Sequence, residues 1–163
     1  MNKRNFLKAG AGLTLAGLAA PALAAASNRL TLDDFMVYID RFNANDPTFI
    51  EFYHPDVVLE LGAEQIRGNE GIGAFYANVK KYISEQLEVT QYISDENGIA
   101  VELPTRFECI ADWEDSFWGV PLQRGQVMRI VSFVHYEVRD RKFSHIKSAR
   151  YRMVHDWQME PAA

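Results

Sequence analysis

Cysteine is nearly absent from this 163-residue sequence, and side chains that could hold a metal or a nucleotide do not cluster. Cys109 is the single cysteine, so the chain cannot form an internal disulfide. Without a CxxC partner, this cysteine is predicted to fill space in a strand. No HxH or HExxH spacing occurs among the four histidines, which are His54, His135, His145 and His155. The glycines at positions 68, 71 and 73 lack dinucleotide-loop spacing, so the sequence predicts no metal and no cofactor.

Basic residues are also in short supply, with 17 Lys and Arg against 22 Asp and Glu and a net charge of −5. Three of the basic residues lie in the first 24 positions, which contain no acid. The remainder of the chain therefore has 14 basic and 22 acidic residues, a net charge of −8. Phosphate backbones and anionic membrane surfaces attract basic proteins. We therefore expect no nucleic-acid partner and no membrane partner.

The longest apolar run, residues 9–20, is shorter than the ~20 residues needed to span a bilayer. It follows the basic stretch at residues 3–8 and precedes Ala22-Leu23-Ala24, the small-x-small pattern read by signal peptidase. Residues 1–24 are therefore predicted to be an export signal, and the mature protein is expected in the periplasm or secreted. The sequence K-R-N-F-L-K at its start resembles a twin-arginine signal with lysine in the first arginine place, which leaves the export route open.

Helical signals follow this segment. Thr31 can cap a helix whose apolar stripe runs to Phe42, with two aspartates in the first turn. Asp46 and Pro47 are typical of the start of a second helix. Gly68 opens a third helical pattern. Helices are therefore expected in the first half of the chain.

The second half has strand composition. The predicted strands cover residues 57–61, 87–94, 99–110, 126–138 and 143–153. The turn at residues 95–98 is predicted from Asn and Gly, which accept positive φ, and a second turn falls at residues 139–141. Helices followed by a strand meander predict one α+β domain over residues 30–155, with an antiparallel sheet wrapped on the helices.

The segment 111–125 interrupts the strands with the sequence A-D-W-E-D-S-F-W-G-V-P-L-Q-R-G. A loop rich in large aromatic side chains must cover apolar surface. Three interpretations stay open: a lid over a pocket, a contact with a second subunit, or a collapsed surface loop.

The order of elements from Tyr38 to Tyr76, and above all G-x-E-x-I-x-A-F-Y at residues 68–76, resembles a known family. The chain is similar to the SnoaL-like, ketosteroid-isomerase-like group of the nuclear-transport-factor-2-like superfamily. The resemblance covers roughly residues 30–152. It implies a cone-shaped fold, with N-terminal helices packed in a curved sheet around one deep pocket. It also implies a hydrophobic small-molecule partner, and we expect a homodimer formed through the sheet.

The resemblance extends to candidate site residues. Tyr38, Tyr53 and Tyr76 fall on the three tyrosines that are hydrogen-bonded beside the pocket of bacterial ketosteroid isomerases. The catalytic base of those enzymes, an aspartate, is matched by Leu61, and their protonated aspartate is matched by Val134. The resemblance therefore implies the tyrosine group but not the steroid isomerase reaction.

Alternation along the strands, placed on the same alignment, predicts which side chains face the pocket. The candidate substrate-binding residues are Leu61, Phe107, Ser132, Val134 and Ser148 from the strands, together with Trp118 from the aromatic loop if that loop is a lid. Arg150 is expected inside as a catalytic, anion-stabilising group, although a one-residue slip would make it a surface charge. His54 is a candidate for proton transfer at the pocket rim, the alternative being a helix-end histidine. Glu60 is a second candidate base, but alternation aims it outward unless the strand bulges.

Two functions from different classes are consistent with these residues. The first is a cofactor-independent acid/base enzyme, either a lyase acting by elimination or retro-aldol cleavage or an isomerase. Its substrate would be a hydrophobic aromatic or polyketide-like molecule. The second is an exported module that binds small molecules or dimerises without catalysis. Interior tyrosines beside an interior arginine favour the enzyme, because a plain binding core does not need such costly polar groups.

Overall fold

The structure is a computed structural model that describes residues 28–160. The export signal predicted over residues 1–24 lies outside this range. The elements are α1 (Leu32–Asn43), a 3-10 helix (Pro47–Phe52), β1 (Tyr53–Leu61), β2 (Glu64–Arg67), α2 (Asn69–Val79), β3 (Ile83–Leu87), β4 (Gln91–Ser94), β5 (Gly98–Cys109), β6 (Gln126–Arg139) and β7 (Lys142–Met159). Within the described residues, no helix is both long and apolar enough to cross a membrane.

Helix α1 begins as the sequence predicts. The Thr31 hydroxyl accepts a hydrogen bond from the Asp34 backbone N–H at 3.2 Å, and the Asp34 carboxylate accepts from the Thr31 backbone N–H at 2.9 Å. This capping box satisfies two backbone donors that the first turn leaves free. The apolar stripe of the helix is buried and includes Phe35, Tyr38 and Phe42. The helix therefore begins at a defined residue, and its buried face directs Tyr38 into the interior.

Seven strands form one sheet in the order β2-β1-β7-β6-β5-β3, with β4 paired to β5. All pairs are antiparallel except β1 with β7, which run parallel. The sheet is thus mixed, and a meander pattern alone predicts antiparallel pairing only. The parallel pair places Leu59 beside Ile146 and Leu61 beside Ser148. These pairs fix which residues of the first and last strands share the inner face.

The two predicted hairpin turns differ in their backbone. Asp140 and Arg141 have φ values of 53° and 57°, so β6 and β7 are joined by a tight turn of left-handed residues. At the other turn, neither Asn97 nor Gly98 has positive φ, and that part of the prediction was wrong. Glycine is needed there because a Cβ at position 98 would lie 2.2 Å from the Tyr136 carbonyl oxygen.

Several strand boundaries also differ from the prediction. Strand β1 begins at Tyr53, four residues before the start predicted at residue 57. The stretch predicted as one strand over residues 87–94 is two strands, β3 and β4, and β3 begins earlier, at Ile83. The side chain of Asn43, at the end of α1, forms two hydrogen bonds with the backbone of Leu87 in β3. Its Nδ2 donates to the Leu87 carbonyl at 2.9 Å, and its Oδ1 accepts from the Leu87 N–H at 2.8 Å. This pair closes the cone between the first helix and the sheet edge.

Candidate active site

The helices and the inner face of the sheet enclose a cavity of about 710 Å³. This volume is within the range of small-molecule sites. Apolar side chains form most of the wall and include Leu59, Leu103, Phe107, Met128, Val134 and Ile146. Because most of the wall is apolar, its few polar groups are the candidate functional groups of the cavity.

Four tyrosines form one end of the cavity: Tyr38 from α1, Tyr53 from β1, Tyr76 from α2 and Tyr136 from β6. The hydroxyl oxygens of Tyr38 and Tyr53 lie 3.0 Å apart and share a hydrogen bond. Tyr76 instead meets Phe42 edge-on at 5.0 Å between ring centroids. The structure therefore joins two of the three predicted tyrosines by a hydrogen bond and places the third beside them in the same wall.

The phenol groups are held in their neutral form. Burial, followed by the nearby Tyr53 hydroxyl, raises the pKa of Tyr38 well above its usual value. Burial is also the main reason that the pKa of Tyr53, of Tyr76 and of Tyr136 is raised. A phenol that keeps its proton at neutral pH can donate a hydrogen bond to a substrate oxygen.

Glu85 is the titratable group that sequence reasoning missed. It lies on β3 opposite Phe107, and its residue lines the cavity. Burial raises the pKa of its carboxyl from 4.5 to about 7, an effect that the charge of Lys80 partly offsets. Within residues 28–160, no hydrogen-bond donor or ion-pair partner contacts this carboxylate. Its charge contributes to the raised pKa of Tyr38, Tyr76 and Tyr136, so it belongs to the same polar end.

A sequence signal for Glu85 existed. The alternation Ile83-x-Glu85-x-Leu87 places the carboxyl on the same face as two apolar residues, of which Ile83 is fully buried. This signal lies outside the predicted strand, which begins at residue 87. A strand that starts four residues earlier turns an apparent loop acid into a group facing the cavity.

Lys80 lies at the end of α2, close to this carboxyl. Its ammonium donates a hydrogen bond to the Phe42 carbonyl at 2.7 Å and lies 4.1 Å from the centre of the Phe42 ring. Burial lowers the pKa of Lys80, and the charge of Glu85 acts in the opposite direction. The two residues therefore interact electrostatically without forming a direct ion pair.

His54 does not lie with the other candidate catalytic residues. Its imidazole contacts the Asp56 carboxylate and lies 2.8 Å from Nη2 of Arg139, and its residue is not part of the cavity wall. The prediction of a proton-transfer group at the rim therefore needs correction: this histidine belongs to a polar cluster on the outside of β1. Glu60 is also engaged, accepting from Gln65 at 3.0 Å and lying 2.9 Å from Nε2 of His145.

Arg150 lines the cavity but does not lie in its interior. The residue is exposed, and β-pairing places it beside Ser132, four positions along β6 from Tyr136. The expectation of an interior arginine beside the tyrosines is thus corrected. The inward register was right, but at this point β7 has reached the open end of the cone.

The predicted substrate-binding residues all belong to the cavity wall. All six line the cavity: Leu61, Phe107, Trp118, Ser132, Val134 and Ser148. The two serines of this set lie near Arg150. Ser132 pairs with Arg150 across the strands, and Ser148 lies two residues before Arg150 in β7.

The aromatic loop between β5 and β6 packs against the cavity wall. Trp118 meets the edge of Phe107 at 5.5 Å and of Trp157 at 5.1 Å, and Phe117 meets Phe75 at 5.3 Å between centroids. Both Phe117 and Trp118 line the cavity. The contribution of Phe117 and Trp118 to the cavity wall is the observation that favours the lid over a collapsed surface loop.

A mixed, curled sheet with helices closing one cavity is the cone-shaped α+β fold of the nuclear-transport-factor-2-like superfamily. Within that superfamily, the model of the SnoaL-like domain matches residues 37–146, and the chain belongs to the SnoaL-like domain family. No curated protein matches the chain in a sequence comparison.

Solved structures share the fold at low sequence identity. A Pseudomonas putida protein assigned as a polyketide cyclase superposes with a TM-score of 0.61 at 22% identity, over 71% of this chain and 86% of that chain. A Kribbella flavida protein assigned as a ketosteroid isomerase gives 0.52 at 22% identity, over 77% of each chain. An LEH-like epoxide hydrolase from Mycobacterium tuberculosis gives 0.58 at 11% identity, over 71% of this chain and 78% of that chain.

Proposed function

We propose that the protein is a cofactor-independent acid/base enzyme, a lyase or an isomerase, with Glu85 as the group that moves the proton. One observation carries the proposal. A carboxyl with a pKa of about 7 faces the same cavity as four neutral phenols, and no described residue satisfies it. A general base works best when its pKa lies near the working pH. Titratable groups perturbed by burial inside a cleft are typical of active sites.

The tyrosines supply the complementary half of the chemistry. Each phenol has one proton, so when one of the bonded pair Tyr38 and Tyr53 donates to the other, the acceptor's own proton stays free for a substrate oxygen. Tyr76 adds a hydroxyl without a hydrogen-bond partner in the described residues. Such donors stabilise the negative charge that develops on a carbonyl oxygen as a neighbouring C–H loses its proton.

Each of three reactions passes through this enolate. Glu85 removes a proton α to the substrate carbonyl, and the electron pair of the C–H bond becomes the enolate stabilised by the phenols. Returning the proton to another carbon moves a double bond, whereas loss of a β-leaving group completes an elimination. In a retro-aldol cleavage, Glu85 takes the proton of a β-hydroxyl instead, and breaking the carbon–carbon bond produces the enolate.

The cavity also supports a substrate class. An apolar wall around about 710 Å³ suits a flat, hydrophobic molecule of two or three fused rings, such as an aromatic or polyketide-like compound. The names of two structural neighbours, a polyketide cyclase and a ketosteroid isomerase, refer to ring systems of this kind and agree with the proposal.

A probe ketone tests the proposal without knowledge of the natural substrate. In D₂O, 2-tetralone exchanges its α-protons when a base removes them, and NMR follows the exchange. We expect the protein to accelerate exchange above the buffer rate, and Glu85→Gln to remove most of that acceleration while the circular dichroism spectrum stays unchanged. Glu88→Gln is a control, because Glu88 is exposed and does not line the cavity. Exchange at the buffer rate together with tight binding of aromatic ligands would favour the non-catalytic binding module instead.

We further propose that the mature protein begins near Ala25 after export to the periplasm. The basic, apolar and small-residue order of residues 1–24 supports this proposal. Intact-mass analysis of the periplasmic protein tests it, and a mature N-terminus at Met1 or Asn2 would reject it.

We also propose that the protein forms a homodimer through the outer face of its sheet. On the outer face of the sheet, Phe133 and Tyr151 stack at 4.4 Å between ring centroids and are 53% and 47% exposed. Exposed aromatic surface of this kind is typical of subunit interfaces. Light scattering should show a dimer that Phe133→Ala weakens, and a monomeric wild-type protein would contradict the proposal.

A further inference from the structure

The cavity has polar groups at two separate ends. Tyr136 and Ile146 pair across β6 and β7 at the closed end, whereas Ser132 and Arg150 pair at the open end. Each strand advances four residues between these pairs, which corresponds to about 13 Å at ~3.3 Å per residue. Val134 and Ser148 form the pair between them, and on the β5 side Leu103 pairs with Ser132 and lines the cavity. A ligand that touches both ends must therefore be elongated.

The two ends differ in charge. The closed end contains Glu85, which becomes negative as the pH rises through about 7, together with phenols that stay neutral. The open end contains the cation Arg150, and no acidic side chain of residues 28–160 lies within ion-pair distance of it. Glu60 also lines the cavity, but its carboxylate is bonded to Gln65 and His145, so Arg150 is a cation at the mouth without a carboxylate partner among the described residues.

Arg150 contrasts with the cations around it. Lys147 also belongs to the cavity wall, but its ammonium is paired with Glu137 at 2.6 Å. On the neighbouring strand β6, the guanidinium of Arg129 is paired with the Glu160 carboxylate at 2.6 Å. A guanidinium left without an acid in a chain of net charge −5 is available to an anion from outside the protein.

Two hydroxyl groups reinforce the open end. Ser132 is 5% exposed and pairs with Arg150, and the structure gives its hydroxyl no hydrogen-bond partner among the described residues. Ser148 lines the cavity next to it, also without such a partner. A planar carboxylate accepts hydrogen bonds from a guanidinium and from hydroxyls at the same time.

From this arrangement we propose that the substrate is an aromatic or polyketide-like carboxylic acid that docks its carboxylate on Arg150 at the mouth. This inference rests on the proposed function for the identity of the reacting end. The reverse orientation is unfavourable, because it buries a carboxylate beside Glu85 in an apolar site without a cation in contact. The acid therefore remains at the hydrated mouth, and the ketone end of the molecule reaches Glu85 and the phenols.

A matched pair of ligands tests the orientation and the charge. The probes are 6-hydroxy-2-naphthoic acid and its methyl ester, which have the same rings but differ in charge, with binding measured by isothermal titration calorimetry. We expect the wild-type protein to bind the acid about tenfold more tightly than the ester, as a charge-assisted hydrogen bond implies. Arg150→Met should remove that preference and leave ester binding within about twofold.

Arg152→Met is the matched control, because Arg152 lies two residues further along β7 and its guanidinium contacts the exposed Tyr151 ring. It should retain the preference for the acid. Equal binding of acid and ester by the wild-type protein, equal weakening of both ligands by Arg150→Met, or no binding of the acid at millimolar concentration would each overturn the inference. These measurements need no turnover, so an acid preference without 2-tetralone exchange would reject the proposed reaction and keep the carboxylate site.

Discussion

The hydroxyl oxygens of Tyr38 and Tyr53 lie 3.0 Å apart at the base of the cavity, the first contributed by α1 and the second by the start of β1. Their hydrogen bond uses one of two protons and leaves the other for a ligand. Because burial raises the pKa of both phenols, the pair stays neutral at the pH at which Glu85 begins to ionise. The donors are thus fully protonated when the base becomes active.

The first prediction concerns this pair. Tyr53→Phe keeps the ring and removes the hydroxyl, so the fold should persist while the rate of α-proton exchange falls. Loss of one oxyanion donor typically costs ~3–4 kcal/mol of transition-state stabilisation, so the rate should fall by a factor of about 100 or more. Tyr92→Phe is the control, because its hydroxyl donates to the Leu30 carbonyl at 2.7 Å outside the cavity wall. Equal rates for wild type and Tyr53→Phe would remove this tyrosine from the mechanism.

The second prediction is that the ionisation of Glu85 makes the free energy of unfolding depend on pH. Between pH 4.5 and about 7, the folded protein holds a proton on this carboxyl that the unfolded chain has lost, so this group makes stability fall as pH rises through that window. Above it, the cost of the charge in the half-buried cavity wall is fully present. Glu85→Gln should therefore raise the free energy of unfolding at pH 8 and raise it much less at pH 4.5. Urea titrations at the two pH values measure this, and an effect independent of pH would contradict the burial of the charge.

The third prediction concerns the cation near this carboxyl. Lys80 lowers the pKa of Glu85, so Lys80→Met should raise it and move the pH midpoint of exchange above about 7. Methionine keeps most of the apolar stem over the Phe42 ring, which limits the loss of packing. The matched control is Lys81→Met, since Lys81 is exposed and outside the cavity wall. A midpoint that moves equally in both variants, or in neither, would show that Lys80 has no specific influence.

The aromatic loop leads to the fourth prediction. Trp118→Ala should weaken binding of aromatic ligands by ~1–3 kcal/mol, because Trp118 lines the cavity and packs on Phe107. Phe133→Ala removes an aromatic ring from the outer face of the sheet and should leave ligand affinity unchanged. If Trp118→Ala instead dissociates a dimer and binds ligands normally, the loop is a subunit contact.

Sequence alone could predict much of the fold, because its signals are local. The Thr31 cap, the buried stripe to Phe42 and the strand cores follow from spacing. The parallel pairing of β1 with β7 could not be predicted, since it depends on how the sheet curls. Gly98 shows the same limit: its close approach to the Tyr136 carbonyl is a tertiary contact that a turn pattern does not reveal.

The candidate site could be predicted only in part. The tyrosines were found by resemblance, and strand alternation placed Ser132, Val134 and Ser148 in the cavity wall. Glu85 was missed because its role depends on where β3 begins, and strand ends are the least certain part of a pattern. His54 was misplaced for a related reason, because β1 begins at Tyr53 and directs the next side chain outward.

The pH dependence of 2-tetralone exchange tests the central claim most directly. After subtraction of the buffer rate at each pH, exchange by the wild-type protein should rise with pH through a midpoint near 7, as the carboxylate of Glu85 forms. The Glu85→Gln variant should show no such rise. A wild-type midpoint near 4.5, or a rise near 7 that persists in Glu85→Gln, would contradict the assignment of Glu85 as the group that moves the proton.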